Sequence, residues 1–278
     1  MIGASHVRSG TENQDAIGWA PPGGSDRRVV LAVSDGHGSP TCFRSAQGSE
    51  LAVRTARRQG IALVEGTVDG PAGLSLVKRA LLEETPRQLV REWRRAVADD
   101  VAEQPFTEDE LSRLADRAGA DARARVESDP ALAYGATVLL VLATEAYVAF
   151  LQLGDGAIVE VNAGHEAPTA NRALPDDELA FANETTSLCS PDASQYLRVR
   201  FDPIFGAAPM LMLASSDGFV NSFADEDGFL RFGPELLGQL EREGVEAVED
   251  RLEDWLQQMT NAGSGDDITL GLILGVDR

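Results

Sequence analysis

The sequence predicts an α+β fold in which antiparallel sheets are covered by helices. Three observations carry this. Strand-like and helix-like runs come in blocks, not in a βαβ alternation. Three β-rich runs, Ala136 to Ala143, Ala146 to Leu153 and Ala157 to Val161, are separated only by Thr144-Glu145 and Gly154-Asp-Gly156, the spacing of an antiparallel meander. Longer segments on either side repeat apolar residues at helical intervals. No internal repeat or linker divides the 278 residues, so a single domain over 1–278 is expected.

The elements follow in order. Residues 28–34 read as a buried strand, and 41–58 as a helix ending before Gly60. Gly66, Gly70, Pro71 and Gly73 mark a loop. Leu74, Val77 and Leu81, then Leu89, Trp93 and Val97, share a helical face. Between them Thr85-Pro-Arg-Gln88 reads as a capping box with an early proline, which predicts a break or kink. Thr107-Glu-Asp-Glu110 opens another helix, to about Val126. Residues 163–194 carry Pro168, Pro175 and Pro191 and read as a long irregular segment. Gln195 to Phe201 alternates like a half-buried strand, and Met210 to Ser215 is another. Phe232 to Met259 is helical, and Ile268 to Leu274 closes the sheet.

Composition excludes several classes. A formal charge of −21 disfavours nucleic acid and anionic membranes, which need clustered Lys and Arg. The acidic runs Glu83-Glu84, Asp99-Asp100, Glu108 to Glu110 and Glu246 to Asp254 are solvated faces that identify no site. No apolar run is long enough to span a bilayer. Met1 to His6 lacks a basic region followed by an apolar one, so no signal peptide is expected. Two cysteines, Cys42 and Cys189, make no disulfide framework and read as reduced thiols of a cytoplasmic protein.

The chemistry lies in a recurring pattern. Val30-Leu-Ala-Val-Ser-Asp-Gly-His-Gly38 is an apolar strand that stops on a carboxylate and passes into glycines. Leu211-Met-Leu-Ala-Ser-Ser-Asp217-Gly218 and Gly265-Asp266-Asp267-Ile268-Thr269 repeat that pattern. One Asp-Gly after a strand is an ordinary turn. Three of them suggest a shared site of oxygen ligands for hard cations such as Mg²⁺ or Mn²⁺. Asp35, Asp217 and Asp266 supply carboxylates, Gly36 can supply a carbonyl, and Asp155 a fourth carboxylate. Zinc is disfavoured, because the three histidines and two cysteines show no finger-type spacing.

These motifs resemble the metal-dependent protein phosphatases of the 2C type (the PPM family), in a compact bacterial form. The similarity runs along nearly the whole chain. Gly3-Ala-Ser-His6 to Gly10-Thr-Glu-Asn-Gln-Asp15 resembles the first motif, and Val33 to Gly38 the Asp-Gly-His/x-Gly motif. Gly135-Ala-Thr137 and Gly154-Asp155-Gly156 resemble the central pair, and Ser215 to Gly218 and Asp266 to Thr269 the late aspartate motifs. The resemblance implies a four-layer αββα arrangement, a β-sandwich of two antiparallel sheets flanked by helix pairs. It implies two Mg²⁺ or Mn²⁺ ions per chain, with a weaker third. Asp35 would bridge the two, with the Gly36 carbonyl beside it. Asp217 and Asp266 would hold the first ion, Asp155 the third, and Asp15 would orient water. The expected reaction is hydrolysis of phosphoserine or phosphothreonine by a metal-activated water, with His37 as general acid to the leaving oxygen. The expected partner is a phosphorylated protein of a cognate Ser/Thr kinase in bacterial signalling, met by a monomer.

Three departures stand out. Many relatives carry an arginine five residues before the motif-one Asp, on the substrate phosphate. Gly10 stands there, which leaves Arg8 and His6 as candidates for phosphate recognition. The motif-one dipeptide is Gln14-Asp15 in place of two acids, and Asn221 stands where many relatives have a third-metal Asp. Glu178 to Leu188 occupies the position of a variable flap. The competing reading is a catalytically weak scaffold that binds a kinase or regulator. A small-phosphoester hydrolase is a third. Survival of Asp35, Asp217 and Asp266 argues for the enzyme.

Overall fold

The computed structural model describes residues 1–24, 26–66, 70–175 and 186–275. Helix α1 (Ala4–Ser9) precedes strands β1 (Ala16–Ala20) and β2 (Arg28–Ser34). A helical block follows: α2 (Ser45–Glu65), α3 (Pro71–Arg79), α4 (Thr85–Glu103), α5 (Glu108–Ala118) and α6 (Ala120–Ser128). Strands β3 (Val138–Thr144), β4 (Tyr147–Leu153), β5 (Ala157–Asn162) and β6 (Thr169–Arg172) come next, then α7 (Ala193–Tyr196), β7 (Arg198–Pro203) and β8 (Leu211–Ser215). Helices α8 (Asp217–Val220), α9 (Glu226–Glu243) and α10 (Val245–Ala262) lead to β9 (Leu270–Leu274).

The strands form two antiparallel sheets, one ordered β1-β2-β3-β4-β7 and the other β6-β5-β8-β9. Side chains of successive strand residues point to opposite faces. Leu31 and Val33, Leu139 and Val141, and Met212 and Ala214 meet in the core between the sheets. The alternate residues Val30, Ala32, Leu140 and Leu142 pack outward against α2 and α4, around buried Leu51, Ala56, Leu89 and Trp93. Leu211 and Leu213 pack outward against Phe229, Leu236 and Leu256 of α9 and α10. Both faces of each sheet are covered, which is why the central strands read as continuous apolar runs. The α+β class and the four-layer αββα sandwich are as the sequence predicts.

Several local expectations need correction. The run from Ala136 to Val161 is not one meander. β3 and β4 form a hairpin, but β4 pairs next with β7, and β5 pairs with β6 and β8 of the other sheet. Gly154-Asp-Gly156 therefore carries the chain across the sandwich, a choice that strand periodicity does not encode. Helix α2 runs past Gly60, because that residue lets the helix lie close on the sheet. A Cβ there would sit 2.7 Å from Val30 Cγ1 and 3.0 Å from Leu142 Cδ2. Pro86 does not break the helix. A π-helical turn over Ala80–Glu84 takes up the mismatch, and Thr85 Oγ1 donates to the Ala80 carbonyl at 3.0 Å instead of capping. The helices expected to run to Val126 and across Phe232–Met259 are each split, at Gly119 and Gly244. The irregular segment 163–194 contains β6, and the predicted strand from Gln195 begins at Arg198.

Candidate active site

Strand register brings the chemistry-bearing residues to one end of the sandwich. Ala16 is paired with Ser34, Val33 with Leu139, and Val138 with Leu153. In the second sheet Ala157 and Leu270 both pair with Ser215. Asp15, Asp35, Asp155, Asp217 and Asp266 each lie just beyond one of these strand ends, so pairing within each sheet and the packing of the two sheets together gather them.

The turn after β2 is held on both sides. Asp35 accepts the Thr137 amide on its carbonyl at 2.8 Å and donates its own amide to Thr137 Oγ1 at 2.9 Å. The His37 amide donates to the Gly135 carbonyl at 3.0 Å, and the Gly36 amide to the Gln14 carbonyl at 3.1 Å. A Cβ on Gly36 would fall 2.7 Å from the Ser45 carbonyl oxygen and 2.8 Å from that of Gln14, so only glycine fits between the strand ends. Gly135-Ala-Thr137 is thus the latch that fixes Asp35, a role its sequence did not announce.

The carboxylates perturb one another. Burial, and then the charges of Asp15 and Asp217, push the Asp35 carboxyl well above its usual range. Burial also raises Asp15 to about 6, against hydrogen bonds from Ser216 and Thr269 that act the other way. Asp217 is raised mainly by burial, opposed by its hydrogen bond with Asp35 and assisted by the charges of Asp155 and Asp266. Among the described residues no Lys or Arg pairs with Asp15, Asp35 or Asp217. One oxygen each of Asp15 and Asp217 is buried without a hydrogen-bond partner. Buried carboxylates that perturb one another in this way, with no described cationic side chain to balance them, suit a hard divalent cation.

The surrounding residues are placed as follows. Ser216 Oγ donates to Asp15 Oδ2 at 2.7 Å, and Asn221 Nδ2 donates to Asp217 Oδ2 at 3.1 Å. Burial holds the His37 imidazole below its ordinary pKa, and the charge of Asp155 pulls it upward. His37 Nε2 is buried without a hydrogen bond. His6 Nδ1 lies 2.9 Å from Asp267 Oδ2, an ion-pair distance without hydrogen-bond alignment, and His6 Nε2 is 3.7 Å from Asp266 Oδ1. Arg8 is exposed on α1 and does not line the adjoining cleft. Of the proposed flap, only residues 186–188 fall among the described residues; 178–185 lie outside them. Thr186 Oγ1 accepts the Gly154 amide at 3.1 Å and Ser187 Oγ the Ala136 amide at 3.1 Å, which ties this segment to the site's floor.

Asp267 was missed by reading the sequence. It is buried and accepts the amides of Gly3 at 2.6 Å and Gln14 at 2.7 Å, joining the last aspartate motif to the first. The ligand atoms of His6, Asp266 and Asp267 lie within 4.8 Å of one another. The doubled Asp266-Asp267 is the available signal, and the sequence motif assigns a role only to its first member.

The family model described as protein phosphatase 2C matches residues 2–257. The chain belongs to the protein phosphatase 2C family. It is by class a protein serine/threonine phosphatase of the 2C type. Solved structures share the fold at low identity. A bacterial serine phosphatase aligns with a TM-score of 0.59 at 16% identity, over 96% of this chain and 94% of its own. The serine/threonine phosphatase Stp1 from Staphylococcus aureus aligns at 0.57 and 15% identity, over 96% and 90%. PppA of Pseudomonas aeruginosa, titled a key regulatory component of T6SS, aligns at 0.53 and 18% identity, over 94% and 90%. No curated protein matches the chain. Among the described residues no helix is long and apolar enough to cross a membrane.

Proposed function

We propose that this chain hydrolyses phosphoserine and phosphothreonine in proteins, using a pair of Mg²⁺ or Mn²⁺ ions at the carboxylate cluster. The observation that carries the reading is the convergence of Asp15, Asp35, Asp155, Asp217 and Asp266, with raised pKa values on Asp15, Asp35 and Asp217 and, among the described residues, no Lys or Arg partner for those three. Asp35, the Gly36 carbonyl, Asp217 and Asp266 would hold the two ions, and Asp155 a third. When bound, such ions acidify a water nucleophile and neutralise charge on the phosphoryl oxygens.

The chain's own residues supply position and protons. Asp15, steadied by Ser216, orients the attacking water. His37 protonates the leaving serine or threonine oxygen, which as an alkoxide is a poor leaving group. His6, braced by Asp267 at the motif-one end, takes over contact with the substrate phosphate, and Arg8 is the alternative. The substrate is a phosphoprotein, made by a kinase acting on the same side chain.

The test is hydrolysis of an aryl phosphate and of a phosphoserine peptide with and without Mn²⁺. Turnover that requires the ion, and is lost in Asp35→Ala, is expected. Undiminished turnover in chelator, or in Asp35→Ala, would overturn the assignment. Turnover of the aryl phosphate but not of the phosphoserine peptide would favour the small-phosphoester reading.

A further inference from the structure

A cleft of about 700 Å³ adjoins the carboxylate cluster along the motif-one segment, and none of the five aspartates lines it. At its inner end are His6, Gly10 and Gln14 of the motif-one segment, and Ser39 of the turn after His37. Its outer wall is α5, which presents Arg113 and Arg117. These two are one helical turn apart and so lie on the same face.

Helix α5 is a rigid wall. Leu111 and Leu114 are buried in the core, and Leu114 also reaches the cleft lining between the two arginines. Its first turn carries a complete capping box between Thr107 and Glu110. Glu110 also takes a two-point hydrogen bond from Arg44, at 2.9 and 3.1 Å, and Arg44 lies at the start of α2, just after the site turn. Arg44 further donates to Tyr134 Oη at 2.9 Å and sits 4.7 Å over the Phe106 ring. The charge of Glu110, which also lines the cleft, is thereby compensated.

Arg113 and Arg117 are different. Both are exposed, and among the described residues neither pairs with a carboxylate. Arg113 Nε donates only to the Asp109 carbonyl of its own helix, at 3.2 Å. Glu12, on the opposite lip, is the remaining acid of the lining. A chain of net charge −21 repels acidic peptides over most of its surface, so a local pair of guanidinium groups beside the site has a large relative effect on approach and orientation. At the inner end Gly10 offers no side chain to do this.

We propose that Arg113 and Arg117 form a docking face for acidic residues that flank the phosphorylated side chain of a peptide substrate. This rests on the phosphatase reading and deepens it to a substrate class: phosphoserine or phosphothreonine in an acidic context. Guanidinium groups suit this role because they bind carboxylates through two parallel hydrogen bonds.

The test compares two phosphoserine peptides, identical except that acidic flanking residues are replaced by alanine, with p-nitrophenyl phosphate as a substrate that has no flanks. The protein is measured unaltered and as R113E/R117E, R113Q/R117Q and, as a charge-matched control on α9, R231E/R242E. The unaltered protein is expected to prefer the acidic peptide, and R113E/R117E to lose about five- to tenfold in kcat/KM on it through KM, the signature of binding lost equally in ground and transition state. R113Q/R117Q should lose less, the control should change little, and the aryl phosphate should be hydrolysed at the same rate throughout. Higher ionic strength should erase the preference. Equal efficiency on both peptides, or an equal loss in the α9 control, overturns the docking face while leaving the phosphatase reading intact. Failure of the unaltered protein to hydrolyse the aryl phosphate with Mn²⁺ overturns both.

Discussion

Ser216 Oγ donates to Asp15 Oδ2 at 2.7 Å while accepting the Thr269 amide at 2.9 Å. Through one buried hydroxyl, three separate motifs are held to a common geometry. The carboxylate of Asp15 is therefore oriented by a residue 201 positions away.

Removing that hydroxyl should affect the reaction without removing a proposed metal ligand. In Ser216→Ala, kcat on an aryl phosphate is expected to fall by about ten- to a hundredfold, as for residues that orient a metal site from outside it. Steady-state kinetics at saturating Mn²⁺ checks this. An unchanged kcat would separate Asp15 from the reaction.

The role of His37 can be read from the leaving group. A serine alkoxide needs a proton at departure, whereas p-nitrophenolate does not. His37→Ala should lower kcat on phosphoserine peptide by about a hundredfold and change the aryl phosphate rate far less. Equal losses on both substrates would assign His37 to folding or binding.

Cation binding should register as stability. At a free Mn²⁺ concentration about a hundred times its Kd, the folded state gains about 2.7 kcal/mol. A melting curve should therefore move upward with Mn²⁺, return with chelator, and stay fixed in Asp217→Asn. A shift of the same size in Asp217→Asn would show that the ion binds elsewhere.

The Arg44–Glu110 contact gives a pH dependence outside the site. Burial alone would raise the Glu110 carboxyl, but hydrogen bonds from Arg44 and Thr107 outweigh it and hold it at about 2, against an ordinary 4.5. A depressed carboxylate stabilises the fold above its unfolded pKa, and that stability is lost as pH falls from about 4.5 to about 2. After allowance for solvent screening the effect is about 1–2 kcal/mol. Denaturant titrations of the unaltered chain and Glu110→Gln should converge at low pH and diverge above pH 5. Parallel curves throughout would contradict it.

Gly60 sets helix propensity against packing. Alanine gains about 1 kcal/mol of intrinsic helix stability. Its methyl group would press on Val30 and Leu142, and overpacking of a dense core costs about 1–3 kcal/mol. Gly60→Ala should destabilise the chain by about 1 kcal/mol in denaturant unfolding, whereas a gain would mean that α2 can lift from the sheet.

The sequence by itself determined the class of fold, the strand 28–34 and, to within one residue, the strand expected at 210–215, the Thr107 capping box, and that Asp35, Asp217 and Asp266 lie close enough to act on one another. Those features are local, because strand alternation, turn chemistry and an acid at a strand end are written in neighbouring residues. Tertiary structure decided which sheet β5 joins, why α2 continues through Gly60, how Thr137 latches Asp35, and that Asp267 and Ser216 bind the motifs together. Each of these depends on atoms brought together from distant positions, where register and packing act and periodicity is silent. The cleft under α5 is of the same kind. No sequence motif contains Arg113 or Arg117, and only the tertiary anchoring of their helix by Arg44 places them beside the site.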